Sequence, residues 1–338
     1  MAKPSDNSLR ALWATTKEKI AANIKSSIVQ NNALLSEIKD KGGMLEVEDG
    51  GRVFNEPAII GDSQAVGGFR RGQVISTDEQ EGIDAFEYSV ARFYGTTHIY
   101  TDDLAMNSGD GRAVSLLKSK VEQTKESVNN GLDIYLSNTN QVSGASSASD
   151  QGTQFGWLGL KDLVPDVATQ DVPGTGVDKT KYAKARSRVV TTAVASATAF
   201  NTSNAGRAVF QDLYNGASFG MNRPNLILTS RTIWDAFQLS LQANERFVNE
   251  GGKDQKVGYP HLMYMADCRV AWSDNIVQRA YALNTKFLKF KVLKEANFKM
   301  GEFIEAYNVF EEVAKMLIMG QFEISGPKYN SVWTGAAF

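Results

Sequence analysis

The chain has 338 residues, 42% hydrophobic and 22% charged, with 36 basic and 38 acidic side chains and a formal net charge of -2. Such a composition buries a real core and excludes global disorder. Its charge balance is not that of a dedicated nucleic-acid binder, which needs a basic stripe to displace counterions from phosphates. The single cysteine, Cys268, excludes an intramolecular disulfide and a secreted disulfide scaffold. The length allows two modest lobes or one elaborated domain. Residues Met1 to Asp6 lack the apolar core of a signal peptide, and no segment approaches the ~20 apolar residues needed to cross a bilayer. A protein made and kept in a reducing cytosol, or in something assembled there, is expected.

Residues 8–41 read as a helical arm. Ile20, Ile24 and Ile28 recur at spacing four, after Leu12 and Trp13 and before Leu34, Leu35 and Ile38, and Gly42-Gly43 ends the pattern. A helix packed on its own domain and an arm laid on a neighbouring subunit both fit. Residues 50–92 carry short apolar pairs (Val53-Phe54, Ile59-Ile60, Val74-Ile75) among Gly, Asp, Ser, Gln and Arg. Gly67-Gly68, between Val66 and Phe69, predicts a two-residue hairpin turn. Each arm of about 15 residues reaches about 50 Å at ~3.3 Å per residue. The hairpin lacks the large side chains for a core of its own, so something outside the subunit is expected to hold it. Phe86 to Val90 alternate as a half-buried strand, and Phe93 to Tyr100 continue with β-favouring residues.

The clearest helix follows, from Arg112 to Ser137, ~39 Å at ~1.5 Å per residue. Its stripe is Val114, Leu117, Val121, Val128, Leu132 and Tyr135, with Thr124 in the middle and Asp110 as N-cap. Residues 138–154 form a polar small-residue loop, and Phe155 to Leu160 return to a packed surface. Residues 181–285 read as an α/β lobe. It contains a helix at Phe210–Tyr214, a buried strand at Leu226–Leu228, and a helix with Ile233, Trp234, Phe237 and Leu241 capped by Thr229 or Ser230. Arg269–Trp272 forms a further strand. In the tail Leu288, Phe290 and Val292 alternate with Lys289 and Lys291, and Lys315 to Ile324 form a last apolar strand.

The chemical inventory is nearly empty. The two histidines, His98 and His261, fit no zinc spacing, and there is no Cys-x-x-Cys, phosphate loop or nucleophile elbow. Cys268 with His261 as nucleophile and base is the weaker reading beside a small buried core cysteine. The acidic residues Asp78, Glu79, Glu81, Asp84 and Glu87, and the pair Asp102-Asp103, fit no cation loop. They read better as a solvated loop or as an intersubunit contact with Arg52, Arg70 and Arg71. Basic residues are scattered and not interleaved with aromatics, so stacking on single-stranded nucleic acid is not supported. No cofactor, metal or catalytic residue is expected, and the protein is read as structural, not an enzyme.

The order of elements resembles the capsid fold of tailed bacteriophages, the Hong Kong ninety-seven fold shared with encapsulins and herpesvirus shells. Gly50 to Asp103 followed by Arg112 to Ser137 carry the resemblance, with Phe155–Leu160 and Asn225–Ser230 as further similar segments. The resemblance implies an α+β fold with an N-terminal arm (1–49), an extended loop (50–92) and a peripheral domain with its spine helix (93–180). An axial domain (181–285) and strands returning to the peripheral domain (286–338) complete it. It implies a major capsid protein that self-assembles into pentamers and hexamers of an icosahedral shell, in a virion assembled in the host cytoplasm. The shell would enclose double-stranded DNA without sequence-specific binding. Arg52, Gly67, Gly68, Phe69, Arg70 and Arg71 are the expected intersubunit residues of the loop. Some relatives seal the shell with a Lys–Asn bond from this loop, but residues 50–92 contain no lysine, so that crosslink is not expected. A separate scaffolding protein, or scaffolding by the arm helix, is expected, with a portal and a decoration protein as further partners and no membrane. The alternatives are an encapsulin compartment, a tail or decoration protein and, from another class, a metal-dependent soluble enzyme.

Overall fold

The computed structural model describes residues 33–40, 44–61, 66–75, 82–106, 116–137, 156–173, 175–202, 205–240, 262–264, 268–305 and 309–337. The expected arm before residue 33, Asp110, Val114, His261, the loop 138–154 and Asp78, Glu79 and Glu81 lie outside these residues. In chain order the first elements are α1 (Ala33–Asp40), β1 (Leu45–Glu48), β2 (Val53–Ile59), β3 (Ile83–Ser89), β4 (Ala91–Tyr100), α2 (Thr101–Met106), α3 (Leu116–Ser137) and α4 (Leu160–Leu163). Then come β5 (Arg188–Val190), α5 (Ala197–Thr202), α6 (Ala205–Gly216), β6 (Leu226–Thr229), α7 (Arg231–Ser240), β7 (Leu262–Tyr264), β8 (Cys268–Trp272) and β9 (Ala280–Leu283). The chain ends with β10 (Leu288–Leu293), β11 (Lys299–Met300), β12 (Ile304–Glu305), β13 (Glu311–Ile324) and β14 (Ser331–Trp333). The chain divides into two compact units, and α3 and β13 each run through the division.

One unit contains Arg92–Leu132 and Leu293–Met319. Its sheet is built on the first part of β13, which pairs with β4, with β11 (Met300 opposite Met316) and with β12 (Ile304 opposite Val313). The spine helix lies on β4, where the Thr97 and Thr124 hydroxyls are 2.7 Å apart. The helix buries Leu116, Val128, Leu132 and Leu136, at multiples of four residues, while Val121 and Tyr135 are half-buried. Leu117, expected in the stripe, is 37% exposed, and its neighbour Leu116 takes the buried position. Adjacent helical residues point ~100° apart, so one shift of phase exchanges them.

The other unit contains Asn31–Ala91, Asp133–Val292 and Gly320–Phe338. Its six-stranded mixed sheet has the order β5-β14-β9-β6-β8-β7, with β5 parallel to β14 and β6 parallel to β8. The helices α5, α6 and α7 cover it around Phe200, Phe210, Leu213, Ile227, Phe237, Val270 and Trp333. The Phe210 and Phe237 rings stack at 4.4 Å. Ser230 starts α7, its Oγ accepting from Ile233 N and its carbonyl from Trp234 N. β14 lies between β5 and β9, so residues 331–333 complete this sheet.

The helix α1 settles the choice left open for its stretch of the arm. Leu34, Leu35 and Ile38 are buried within the chain, Glu37 pairs with Arg269 at 2.5 Å, and Leu35 N donates to the buried Asp133 carboxylate. Burial raises the pKa of Asp133, opposed by hydrogen bonds from Asn275, Leu35 and Ser137.

Candidate assembly site

The hairpin formed by β2 and β3 has a packed root and an open tip. Seven residues of β2 pair antiparallel with seven of β3, from Val53 opposite Ser89 to Ile59 opposite Ile83. At the root Phe54, Phe86 and Tyr88 are buried. Burying each such ring contributes about 1.5–3 kcal/mol. The Tyr88 hydroxyl donates to Ile324 O at 2.8 Å and accepts from Ile324 N. The buried Gln321 amide donates to Ser89 O and Gly156 O, and its oxygen accepts from Leu158 N.

A charged cluster completes the root. Lys291 of β10 bonds the Glu56 carboxylate of β2 and lies 3.2 Å from Glu323 of β13, with its ammonium 5.7 Å from the Phe54 ring centre. Burial pushes the Glu323 carboxyl up to about 7 despite the Lys291 charge. Lys289 and Lys291 alternate with apolar residues along β10, and the Lys291 side chain is only 7% exposed. Both faces of β10 are covered there, so the lysine is compensated by two carboxylates.

The register places the tip. Every β2–β3 pair is equidistant from residue 71. Gln73 N donates to Arg70 O and Arg70 N to Gln73 Oε1, both at 3.0 Å, closing a turn with Gly72 at φ +83. The turn expected at Gly67-Gly68 is therefore at Arg70–Gln73, because a type II turn needs φ > 0 at its third residue and Gly72 supplies it. Gly67, Gly68, Phe69, Arg70 and Arg71 all lie in the exposed tip, whereas Arg52 is exposed at the root, where its carbonyl accepts from Val90 N. Around the turn Val66, Phe69, Val74 and Ile75 are 83, 70, 91 and 57% exposed. A run of large apolar side chains flanking two arginines has the character of an interface.

The catalytic readings find little support in the geometry. Cys268 is buried on β8 and desolvation pushes its thiol up to about 12, the opposite of an activated nucleophile. Among the described residues no group of three or more His, Cys, Asp or Glu is placed to hold a metal ion. Asp102 is exposed and Asp103 buried in the first turn of α2, while Asp84 and Glu87 lie on β3. A groove of about 420 Å³ between β4 and α3, lined by Tyr94, Thr96, His98, Lys120 and Gln123 among others, was not visible in the sequence. Its imidazole is paired with Glu311 at 2.6 Å.

No protein-family model matches the sequence, and no curated protein sequence matches it. Solved structures do. The chain is similar to that of the capsid asymmetric unit of cyanophage A-1(L), with a TM-score of 0.67 and 15% identity over 100% of both chains. It is similar to the capsid of Myoviridae phage XM1, with a TM-score of 0.57 and 11% identity over 94% of this chain and 96% of that one. It is also similar to the SrpI encapsulin of Synechococcus elongatus PCC 7942, with a TM-score of 0.53 and 8% identity over 93 and 92%. The elements from α1 to β14 thus have the fold of tailed-phage capsid proteins, the α+β fold that encapsulin shells share.

Proposed function

We propose that this chain is a shell-building protein, the major capsid protein of a tailed phage, whose copies associate into pentamers and hexamers of a closed icosahedral shell. The hairpin carries this reading: its root is fixed in the fold by Tyr88, Gln321 and Lys291, and its tip presents Val66, Phe69, Val74 and Ile75 to solvent. Each of these side chains is worth about 1.5–3 kcal/mol once covered, before the cost of ordering the interface is subtracted. One such interface is modest, but a closed array repeats it at every subunit and gains by multivalency. In this reading 50–92 is the extended loop, the part around α3 the peripheral domain and the six-stranded sheet with its helices the axial domain. The shell holds double-stranded DNA within a virion assembled in host cytoplasm, with a scaffolding protein, a portal and a decoration protein as partners. The chain acts as a structural part and not as a catalyst.

The test replaces residues 66–75 with a short glycine-serine turn and compares sedimentation velocity with that of the parent chain. The parent should sediment as capsomers and shells, while the variant keeps its circular dichroism and thermal transition but stays small. Unchanged assembly of the folded variant would overturn the role given to the hairpin. Co-purification of an enzyme cargo in the parent particles, in place of DNA, would move the assignment to an encapsulin.

A further inference from the structure

Basic residues that are far apart in sequence converge on one surface of the unit that carries the six-stranded sheet. Segments 178–188, 284–287 and 326–330 contain seven lysines and arginines, of which Lys179 is buried, and one acidic residue, Asp178, in a chain whose formal net charge is -2. Their proximity is structural. Arg188 pairs with Ser331 across β5 and β14, and its N–H donates to Asn330 O at 3.1 Å. The 3-10 turn Ala183–Ala185 packs against the 3-10 turn Pro327–Tyr329. The Phe287 and Tyr329 rings stack at 4.3 Å, and Phe219 meets Tyr329 edge-on at 6.1 Å. The Lys328 ammonium sits 4.0 Å from the Phe219 ring centre and the Lys286 ammonium 5.7 Å from that of Phe287. The Arg188 stem lies against Gly216, three residues before Phe219.

Among the described residues no carboxylate forms an ion pair with Arg188, Lys286 or Lys328. Asp178 is engaged in its own turn, accepting from Thr180 N, Thr180 Oγ1 and Lys181 N. The rings contact one another and lie under the lysine ammoniums, forming a shelf that holds the cations in place.

We propose that this face binds the phosphate backbone of double-stranded DNA, without reading sequence, through Arg188, Lys286 and Lys328 held on the shelf of Phe219, Phe287 and Tyr329. Cations fixed on a rigid support, without carboxylate partners, suit an evenly spaced polyanion. The face is hidden in the sequence because the aromatics interleave with the cations in space and not along the chain.

Binding of this kind does not require shell closure and is tested on purified full-length protein at concentrations where sedimentation shows no closed particles. Fluorescence anisotropy with a labelled random-sequence duplex is followed from 50 to 200 mM salt. The parent should bind at low salt, and the variant R188Q/K286Q/K328Q should lower the slope of log K against log salt by about 2–3, at ~0.9 for each phosphate that is no longer neutralised. A K286Q/K328Q variant, which leaves the Arg188 packing intact, should lower it by about 2, with an unchanged thermal transition as the control for folding. No binding by the parent at 50 mM salt, or an unchanged slope in both variants, would overturn the proposal. So would binding of polyglutamate with equal affinity and the same loss in the variants, which would mark the face as a dock for an acidic protein segment. Sedimentation of the variants under assembly conditions reads shell formation separately.

Discussion

Replacing Lys291 with Met should unlatch the hairpin root while leaving the rest of the fold in place. In the native chain the Lys291, Glu56 and Glu323 side chains are 7, 14 and 1% exposed, so both carboxylates depend on one ammonium for compensation. Removing that ammonium leaves uncompensated buried charge, which costs about 3–5 kcal/mol. The cost falls on the packing of β2 against its neighbours. Amides of residues 53–59 and 83–89 should therefore exchange roughly 150- to 5,000-fold faster in hydrogen-exchange mass spectrometry, at ~1.36 kcal/mol per tenfold. Replacing all three charges together (E56Q, K291M, E323Q) should recover most of the loss, because no buried charge remains unpaired. Lowering the pH should also rescue the single variant. In the parent protein the Glu323 carboxyl is held up to about 7 by burial, so the folded state retains a proton that the unfolded state loses above its ordinary value of about 4.5. Its contribution to stability is thus present at low pH and lost as pH rises through about 7, and removing Lys291 strengthens that trend. Hairpin exchange in K291M within threefold of the parent at pH 7.5 would refute the reasoning.

Leu116→Ala should destabilise the protein by about 2–5 kcal/mol in chemical denaturation and Leu117→Ala by less than about 1, and the reverse order would contradict the observed helix phase. A Cβ at Gly320 would lie 2.2 Å from the Lys291 carbonyl oxygen inside the β10–β13 ladder. Gly320→Ala should therefore cost at least the ~1–3 kcal/mol of an overpacked site, read as a lower thermal midpoint. Lys179 is buried, its Nζ has no hydrogen-bond partner among the described residues, and burial pulls its pKa down to about 8. Its charged form thus opposes folding below that pH. Lys179→Met should stabilise the protein at pH 7, with the advantage shrinking as pH rises from about 8 toward the lysine value of 10.5 and the parent loses the penalty.

Much of the fold was legible because local signals were strong: the alternation from Phe86 to Val90, the spine periodicity and the Ser230 cap all correspond to elements seen. The misses have one physical origin, the absence of tertiary partners from a linear reading. Gly67-Gly68 and Gly72 are both good turn residues. The choice between them is made by the register of Phe54, Phe86 and Tyr88 at the far end of the ladder. Leu116 and Leu117 compete for one buried position, and the packing of α3 decides it. The burial of Lys291 depends on Glu56, 235 residues away in the chain. The hairpin was expected to lack a core of its own, whereas its root buries Phe54, Phe86 and Tyr88.

What the purified protein builds is the most direct test of the shell-building role. Electron microscopy of the full chain across a range of concentrations, alone and with co-expressed neighbouring gene products, is the decisive measurement. It should show hollow closed shells of uniform size with five- and six-membered clusters on their surface. A folded monomer or small dimer under every condition would contradict that role.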